Sequence, residues 1–318
     1  VHLPSCVPVD PEIRRLLKFF EEKGFASSES SKLDVTQMRS GFLELSKLVP
    51  RENVASVKDF NIEYGDGVVV PCRLYTPEAE AGGGLVVYLH GGGFVLGGIE
   101  EYDGLCRALC NASKTKILSV GYRLAPEHRF PAAVEDAVAA LEYSATHTAE
   151  LGVHPGKLVV AGDSAGGNLA AVAATLTKGK VKLRRQVLVY PTVSFDVSSY
   201  SHVEYSSDLF LTGSMMGWFG RLYLSKPTDV LDPRFSPMLF EDLRGLPPTL
   251  IVTAEYDPLR DQGEAFGAKL AEQGVPVSRV RVGGMIHGFL SFFGVLKPAR
   301  DTLTMIGALI SADTHAEA

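Results

Sequence analysis

The sequence predicts an α/β fold with a mostly parallel central sheet, helices on both faces and a helical cap. Three observations carry this. Short apolar, β-branched runs recur at 85–89, 116–122, 158–161, 187–190, 250–254 and 277–282, with helical patterns between most of them. One run leads directly into Gly162-Asp163-Ser164-Ala165-Gly166, a strand that stops, turns and starts a helix. Two further segments, 1–52 and 192–232, carry helical spacing but do not fit the alternation. With 318 residues, 46% hydrophobic, the chain can bury a core of this size.

The elements follow in order. Ile13, Leu16, Leu17, Phe19 and Phe20 form one helical stripe, and Met38, Phe42, Leu43, Leu45 and Leu48 form another. Ser27, Ser28, Ser30 and Ser31 lie in a polar loop between them. Gly65-Asp66-Gly67 joins the runs 57–64 and 68–75 as a hairpin. The sheet strands then alternate with helices over 131–144, 168–177 and 263–273, and a last helix covers 298–310. The excursion 192–232 is too long for a structureless loop, and Met215, Met216, Trp218, Phe219, Leu222 and Tyr223 recur at helical spacing. It is expected to fold as a helical insertion and, with 1–52, to cap the carboxyl ends of the strands. The catalytic domain would then comprise 53–191 and 233–318.

Bulk properties narrow the partners. A net charge of −6 gives no basic excess, so neither nucleic acid nor an anionic membrane is the expected partner. No apolar run is long enough to span a membrane, and the first residues lack the basic-then-apolar order of a signal peptide. Cys6, Cys72, Cys106 and Cys110 show no framework spacing, which points to a reducing, cytoplasmic setting. Cys106 and Cys110, one helical turn apart, are read as small apolar residues on the inner face of a helix. The sequence leaves room for a homodimer.

Gly-x-Ser-x-Gly is a weak motif in a chain with 32 glycines, where chance supplies one in roughly one such chain in four or five. Context strengthens it, because Ser164 alone among the serines has glycine two residues before it and sits where an apolar strand becomes a helix. A serine nucleophile needs a base and an acid, and on this kind of sheet they follow it in the order Asp/Glu, then His. His202, His287 and His315 follow Ser164. His202 precedes any suitable acid and His315 lies in the tail, leaving His287 in the loop expected at 283–289 after a strand. Glu255, Asp257 and Asp261 follow the strand at 250–254, and Asp257 is favoured. Its plain alternative is a helix start, with Asp257 capping and Pro258 in the first turn.

An oxyanion needs backbone donors, and His90-Gly91-Gly92-Gly93-Phe94 follows the strand at 85–89 where such a hole is built. The Ala165 amide would join those of the glycine loop. His90 precedes the serine and is read as a hydrogen-bonded support. No Gly-x-Gly-x-x-Gly, Gly-Lys-Ser/Thr, His-Glu-x-x-His or Cys-x-x-Cys occurs, so neither metal nor cofactor is called for.

Together, 90–94, 162–167, 257–261 and 287–289, with the segment Tyr122-Arg123-Leu124-Ala125-Pro126-Glu127-His128-Arg129-Phe130-Pro131-Ala132-Ala133, resemble the bacterial and archaeal hormone-sensitive-lipase family of carboxylesterases. The resemblance covers about 55–295, and the cap segments carry no family motif. It implies an α/β-hydrolase fold with a helical cap, and cofactor-free hydrolysis of small-molecule carboxylic esters of short to medium acyl chain. It also implies Ser164 as nucleophile, Asp257 as acid, His287 as base, and Gly92, Gly93 and Ala165 as the oxyanion hole, with Gly91 shaping the turn. Other readings remain: a lipase on longer chains, an amidase or lactonase that uses the same parts, and a non-catalytic receptor such as the gibberellin receptors of plants, which keep the glycine loop and elbow but lose the catalytic histidine. Phe94, Met215, Met216 and Phe219 are the candidates for contact with the acyl chain, because the triad touches only the carbonyl that every ester shares.

Overall fold

The computed structural model describes residues 8–22, 34–79, 82–207 and 209–315. The serine-rich loop, Cys6, the Phe20 side chain and the last three residues lie outside them. Strands β1 (Ser56–Tyr64), β2 (Val68–Thr76), β3 (Leu85–Leu89), β4 (Lys116–Val120), β5 (Leu158–Asp163), β6 (Leu183–Val189), β7 (Thr249–Tyr256) and β8 (Val277–Ile286) form one sheet. Its order is β1-β2-β4-β3-β5-β6-β7-β8. The β1–β2 hairpin and the β2–β4 pair are antiparallel, and every other pair is parallel.

Helices α1 (Pro11–Glu22) and α2 (Val35–Ser46) precede the sheet. Within and after it come α3 (Ile99–Ser113), α4 (Ala132–Thr146), the single turn α5 (Thr148–Leu151), α6 (Ala165–Leu176), α7 (Tyr200–Tyr205), α8 (Gly213–Tyr223), α9 (Arg260–Glu272) and α10 (Lys297–His315). The period of two along β3 divides the core. Leu85, Val87 and Leu89 belong to the core cluster that includes residues of α4, α6 and α9, while Val86 and Tyr88 belong to the one that includes residues of α3 and α10. All five residues of β3 are buried, as a strand covered on both faces requires. Cys106 and Cys110 are fully buried on α3, the ordinary core role expected of them.

Several expected boundaries move for visible reasons. The stretch 283–286, expected as loop, continues β8. The Gly284 backbone finds partners there: its N–H donates to the Glu255 carboxylate at 2.8 Å, and its C=O accepts from Asp10 N–H at 3.1 Å. β6 begins at Leu183, four residues early, because its polar end is half-buried and Arg185 is held by Asp313 of α10. β4 ends at Val120, two residues short of the expected end. Helix α10 extends to His315, so that histidine closes a helix rather than lying in a frayed tail.

The site's location follows from connectivity. The chain passes from β3 outward to β4, then crosses back over β3 to β5, and every later strand adds on that side. The carboxyl ends of β3 and β5 therefore flank the point where the connections reverse, which leaves a crevice there. Helix α6 can start hard against that crevice only because two glycines allow it. A Cβ on Gly166 would lie 1.9 Å from the Leu89 carbonyl oxygen, and one on Gly162 would lie 2.3 Å from that of Gly166.

Gly166→Ala is expected to destabilise the fold by at least about 2 kcal/mol, since the new methyl meets backbone that cannot yield. Gly217→Ala, on α8, meets only the tip of Arg221 at 3.4 Å. It should be neutral or stabilising by about 0.5–1 kcal/mol. Urea unfolding of the two variants checks the contrast.

Candidate active site

Ser164 stands at the end of β5 with φ 55° and ψ −117°, a conformation that costs a non-glycine residue on the order of 1–3 kcal/mol. Its neighbours fix it there. Ser164 N–H donates to Val189 C=O at 2.9 Å, and Ser164 C=O accepts from Asn168 N–H at 3.0 Å. The hydroxyl is thereby lifted off the strand toward the crevice.

His287 follows β8 directly, and Gly288, at φ 76°, turns the chain away behind it. Its Nε2 lies 2.9 Å from Ser164 Oγ and its Nδ1 lies 2.8 Å from Asp257 Oδ2. A carboxylate only accepts, so Nδ1 carries the proton and Nε2 is left to accept from the serine hydroxyl. The ring is buried beside Tyr190, with centroids 4.7 Å apart. Asp257 is fully buried. Its second oxygen accepts from Leu259 N–H at 2.8 Å, so it also organises the turn into α9. The plain helix-start alternative does not hold as drawn: α9 begins at Arg260 with Leu259 at its N-cap, so Asp257 and Pro258 lie in the turn before the helix. Asp261 lies in the first turn of α9 and accepts from Ser201 N–H at 2.8 Å.

The glycine loop after β3 closes through Val95 and Leu96 N–H bonds to Gly92 C=O, at 3.1 and 2.8 Å. Gly92, Gly93 and Phe94 all have positive φ, at 117°, 62° and 64°. Among the described residues, no hydrogen bond engages the N–H groups of Gly92, Gly93 or Ala165. Gly92 and Gly93 line the same cleft as Ser164 and Ala165 follows it in the chain, and such unsatisfied donors can receive an oxygen that gains negative charge. His90 supports this loop as expected. Its Nδ1 lies 2.7 Å from Gly91 C=O and its ring stacks on Tyr122 at 4.2 Å. Burial lowers its pKa to about 4, so it stays neutral.

One buried group escaped the sequence reading, although it lies inside the motif. Asp163 accepts from Gly91 N–H at 3.0 Å, Tyr88 O–H at 2.8 Å and Tyr102 O–H at 2.9 Å. Burial nonetheless outweighs these donors and raises its pKa to about 6.

Above Ser164 and His287 opens a cleft of about 1330 Å³ that Phe94, Met215, Met216 and Phe219 all line. Phe94 is almost covered, its ring stacked on Tyr223 of α8 at 4.0 Å. Phe219 lies against Gly93, where a Cβ would meet its ring at 2.4 Å. Met38, Phe42 and Leu45 of α2 also line the cleft. The sequence placed their stripe in the expected cap but named none of the three for contact with substrate. His202 lines the cleft wall, and the histidine that meets Ser164 is His287.

A family model described as an α/β-hydrolase fold matches residues 86–291. The chain belongs to the hormone-sensitive-lipase family of α/β hydrolases. This hydrolase is 39% identical to an arylesterase of Saccharolobus solfataricus over 96% of its own length and 98% of the relative's. It is 34% identical to an ethyl acetate hydrolase of Pseudomonas putida, over 86% and 89%. Among solved structures it is similar to an esterase of Pyrobaculum calidifontis, with 43% identity, a TM-score of 0.89, and 97% and 100% of the chains covered. The hydrolase is a carboxylic ester hydrolase, as its relatives are named. No helix among the described residues is long and apolar enough to cross a membrane.

Asp163 gives a stability prediction whose sign follows from its raised pKa. Between about pH 4, where an unfolded aspartate titrates, and about pH 6, the folded state binds the extra proton. Stability contributed by this group is therefore present below pH 4 and falls as pH rises to 6. The unfolding free energy of the parent minus that of Asp163→Asn should be larger at pH 4.5 than at pH 7 in paired urea titrations.

Proposed function

We propose that the protein hydrolyses carboxylic esters of short to medium acyl chain through an acyl-enzyme on Ser164. The observation that carries the reading is the unbroken relay Asp257–His287–Ser164, at 2.8 and 2.9 Å, on the floor of an apolar cleft. Ser164 Oγ attacks the ester carbonyl carbon while its proton passes to His287 Nε2. Asp257 holds the imidazole in the required tautomer and stabilises the imidazolium. The carbonyl oxygen takes the negative charge among the amides of Gly92, Gly93 and Ala165, which need no reorganisation to receive it. Collapse breaks the bond to the alcohol, which leaves with the proton from His287. Water then repeats the sequence and releases the acid and free Ser164.

The relay also speaks for an enzyme over a binding protein on the same fold, since a receptor has no use for a general base. The described parts of 1–52 and 192–232 act in this reading as a cap, and 53–191 with 233–318 as the catalytic domain. Support comes from Met38 and Phe42 on one side and Met215, Met216 and Phe219 on the other, all walls of the cleft. The substrate is the expected partner, the charge of −6 speaks against nucleic acid, and scattered cysteines speak for the cytoplasm.

Ser164→Ala should remain folded and lose several orders of magnitude in kcat on a p-nitrophenyl ester. Asp257→Asn should lose on the order of 10⁴-fold, and Asp261→Asn far less. A phosphonate should label the parent at Ser164 and leave Ser164→Ala unmodified. These assays separate the triad from a structural serine.

Met215→Ala, Met216→Ala and Phe219→Ala test the walls. At least one should change the ratio of kcat/KM between a butyrate and an octanoate ester, by up to about 1–3 kcal/mol per methylene contact. Equal changes on both esters for all three would assign these residues to packing instead.

A further inference from the structure

The three consecutive positive φ values at Gly92, Gly93 and Phe94 need outside restraint, since Phe94 is strained there and, among the described residues, no acceptor holds the Gly92 and Gly93 amides. Asp163 holds the loop's first amide from below. The far end is held by a residue distant in sequence. Arg39, on α2, donates from Nε to Val95 C=O at 2.9 Å and from Nη2 to Ala125 C=O at 2.9 Å. Ala125 N–H in turn donates to Phe94 C=O at 2.9 Å. One guanidinium thus closes a ring of hydrogen bonds through Phe94, Ala125 and Val95. Its outer edge is clamped by both Glu127 oxygens, each at 2.8 Å, which lower the Glu127 pKa to about 2.

We propose that Arg39 is a positioning residue for the oxyanion hole, its planar fork fixing the 92–96 turn so that the Gly92 and Gly93 amides point at the reacting carbonyl. The proposal rests on the reading of those amides as the oxyanion donors. Arg39 touches no substrate in this account. Its role needs the fork geometry, because the two carbonyls and the carboxylate must be met at once, which the single ammonium of a lysine cannot do. Met38, Phe42 and Leu45 of the same helix line the cleft, so α2 both walls the substrate and holds the catalytic loop.

The test compares Arg39→Ala, Arg39→Lys and Glu127→Gln with the parent, each normalised by phosphonate titration so that only folded, competent sites are counted. Arg39→Ala and Arg39→Lys should both lose about 10–100-fold in kcat with KM within about threefold. Glu127→Gln, which leaves the two carbonyl bonds in place, should lose less than about threefold. A trifluoromethyl ketone, whose adduct on Ser164 places an oxyanion in the hole, should weaken by the same factor as kcat/KM. The matching methyl ketone, a ground-state ligand, should bind all four proteins within about twofold. A normalised kcat of Arg39→Ala near that of the parent, full rescue by lysine, or unchanged trifluoromethyl ketone affinity would each overturn the proposal. A parent that hydrolyses no ester would instead overturn the functional reading beneath it.

Discussion

Everything at the site depends on the fully buried carboxylate of Asp163, which draws the ends of two adjacent strands together. Asp163 belongs to β5 and precedes Ser164, while its partner Gly91 belongs to the loop leaving β3. Their hydrogen bond ties the serine turn to the glycine loop, and Tyr88 and Tyr102 satisfy the remaining acceptor sites from the sheet and from α3. An ionised group without partners there would be prohibitively costly. With three donors it becomes a fixed point from which both halves of the site are measured.

The histidine side is held differently. His287 is delivered by strand β8 and oriented by Asp257, which is itself oriented by the turn into α9. Tyr190, from the end of β6, packs against the ring. Ser164, Asp257 and His287 therefore stand at the ends of three strands of one sheet. Helices α2 and α8 supply none of these three residues, yet Phe219, Tyr223 and Arg39 touch the glycine loop at Gly93, Phe94 and Val95.

Much of this was legible in the sequence because it was enforced locally. A strained serine between glycines, a glycine run after a strand, and an aspartate and histidine in fixed chain order leave few arrangements open. Apolar runs covered on both faces marked the inner strands for the same reason. The misreadings fall where the deciding partner is remote. Gly284 looks like loop until Glu255 and Asp10 supply its bonds, and the polar start of β6 needs α10 beside it. Asp163 stood in plain view within the motif, but nothing local says that Tyr88, Tyr102 and Gly91 converge on it. The stripe of α2 was equally visible, and only its position over the crevice shows what it faces.

The contact between Phe219 and Gly93 bears on how such proteins diversify. A pocket wall that merely enclosed substrate could be exchanged for another by recombination, with selectivity following the donor. Here the wall leans on the loop that bears the amides, and Phe210 lies against Gly288 beside the histidine in the same way. A chimera carrying a foreign 192–232 segment inherits aromatic rings shaped for a different pair of glycine surfaces. Exchange of this segment is therefore constrained at two points, and drift in its substrate range is confined to the side chains between them.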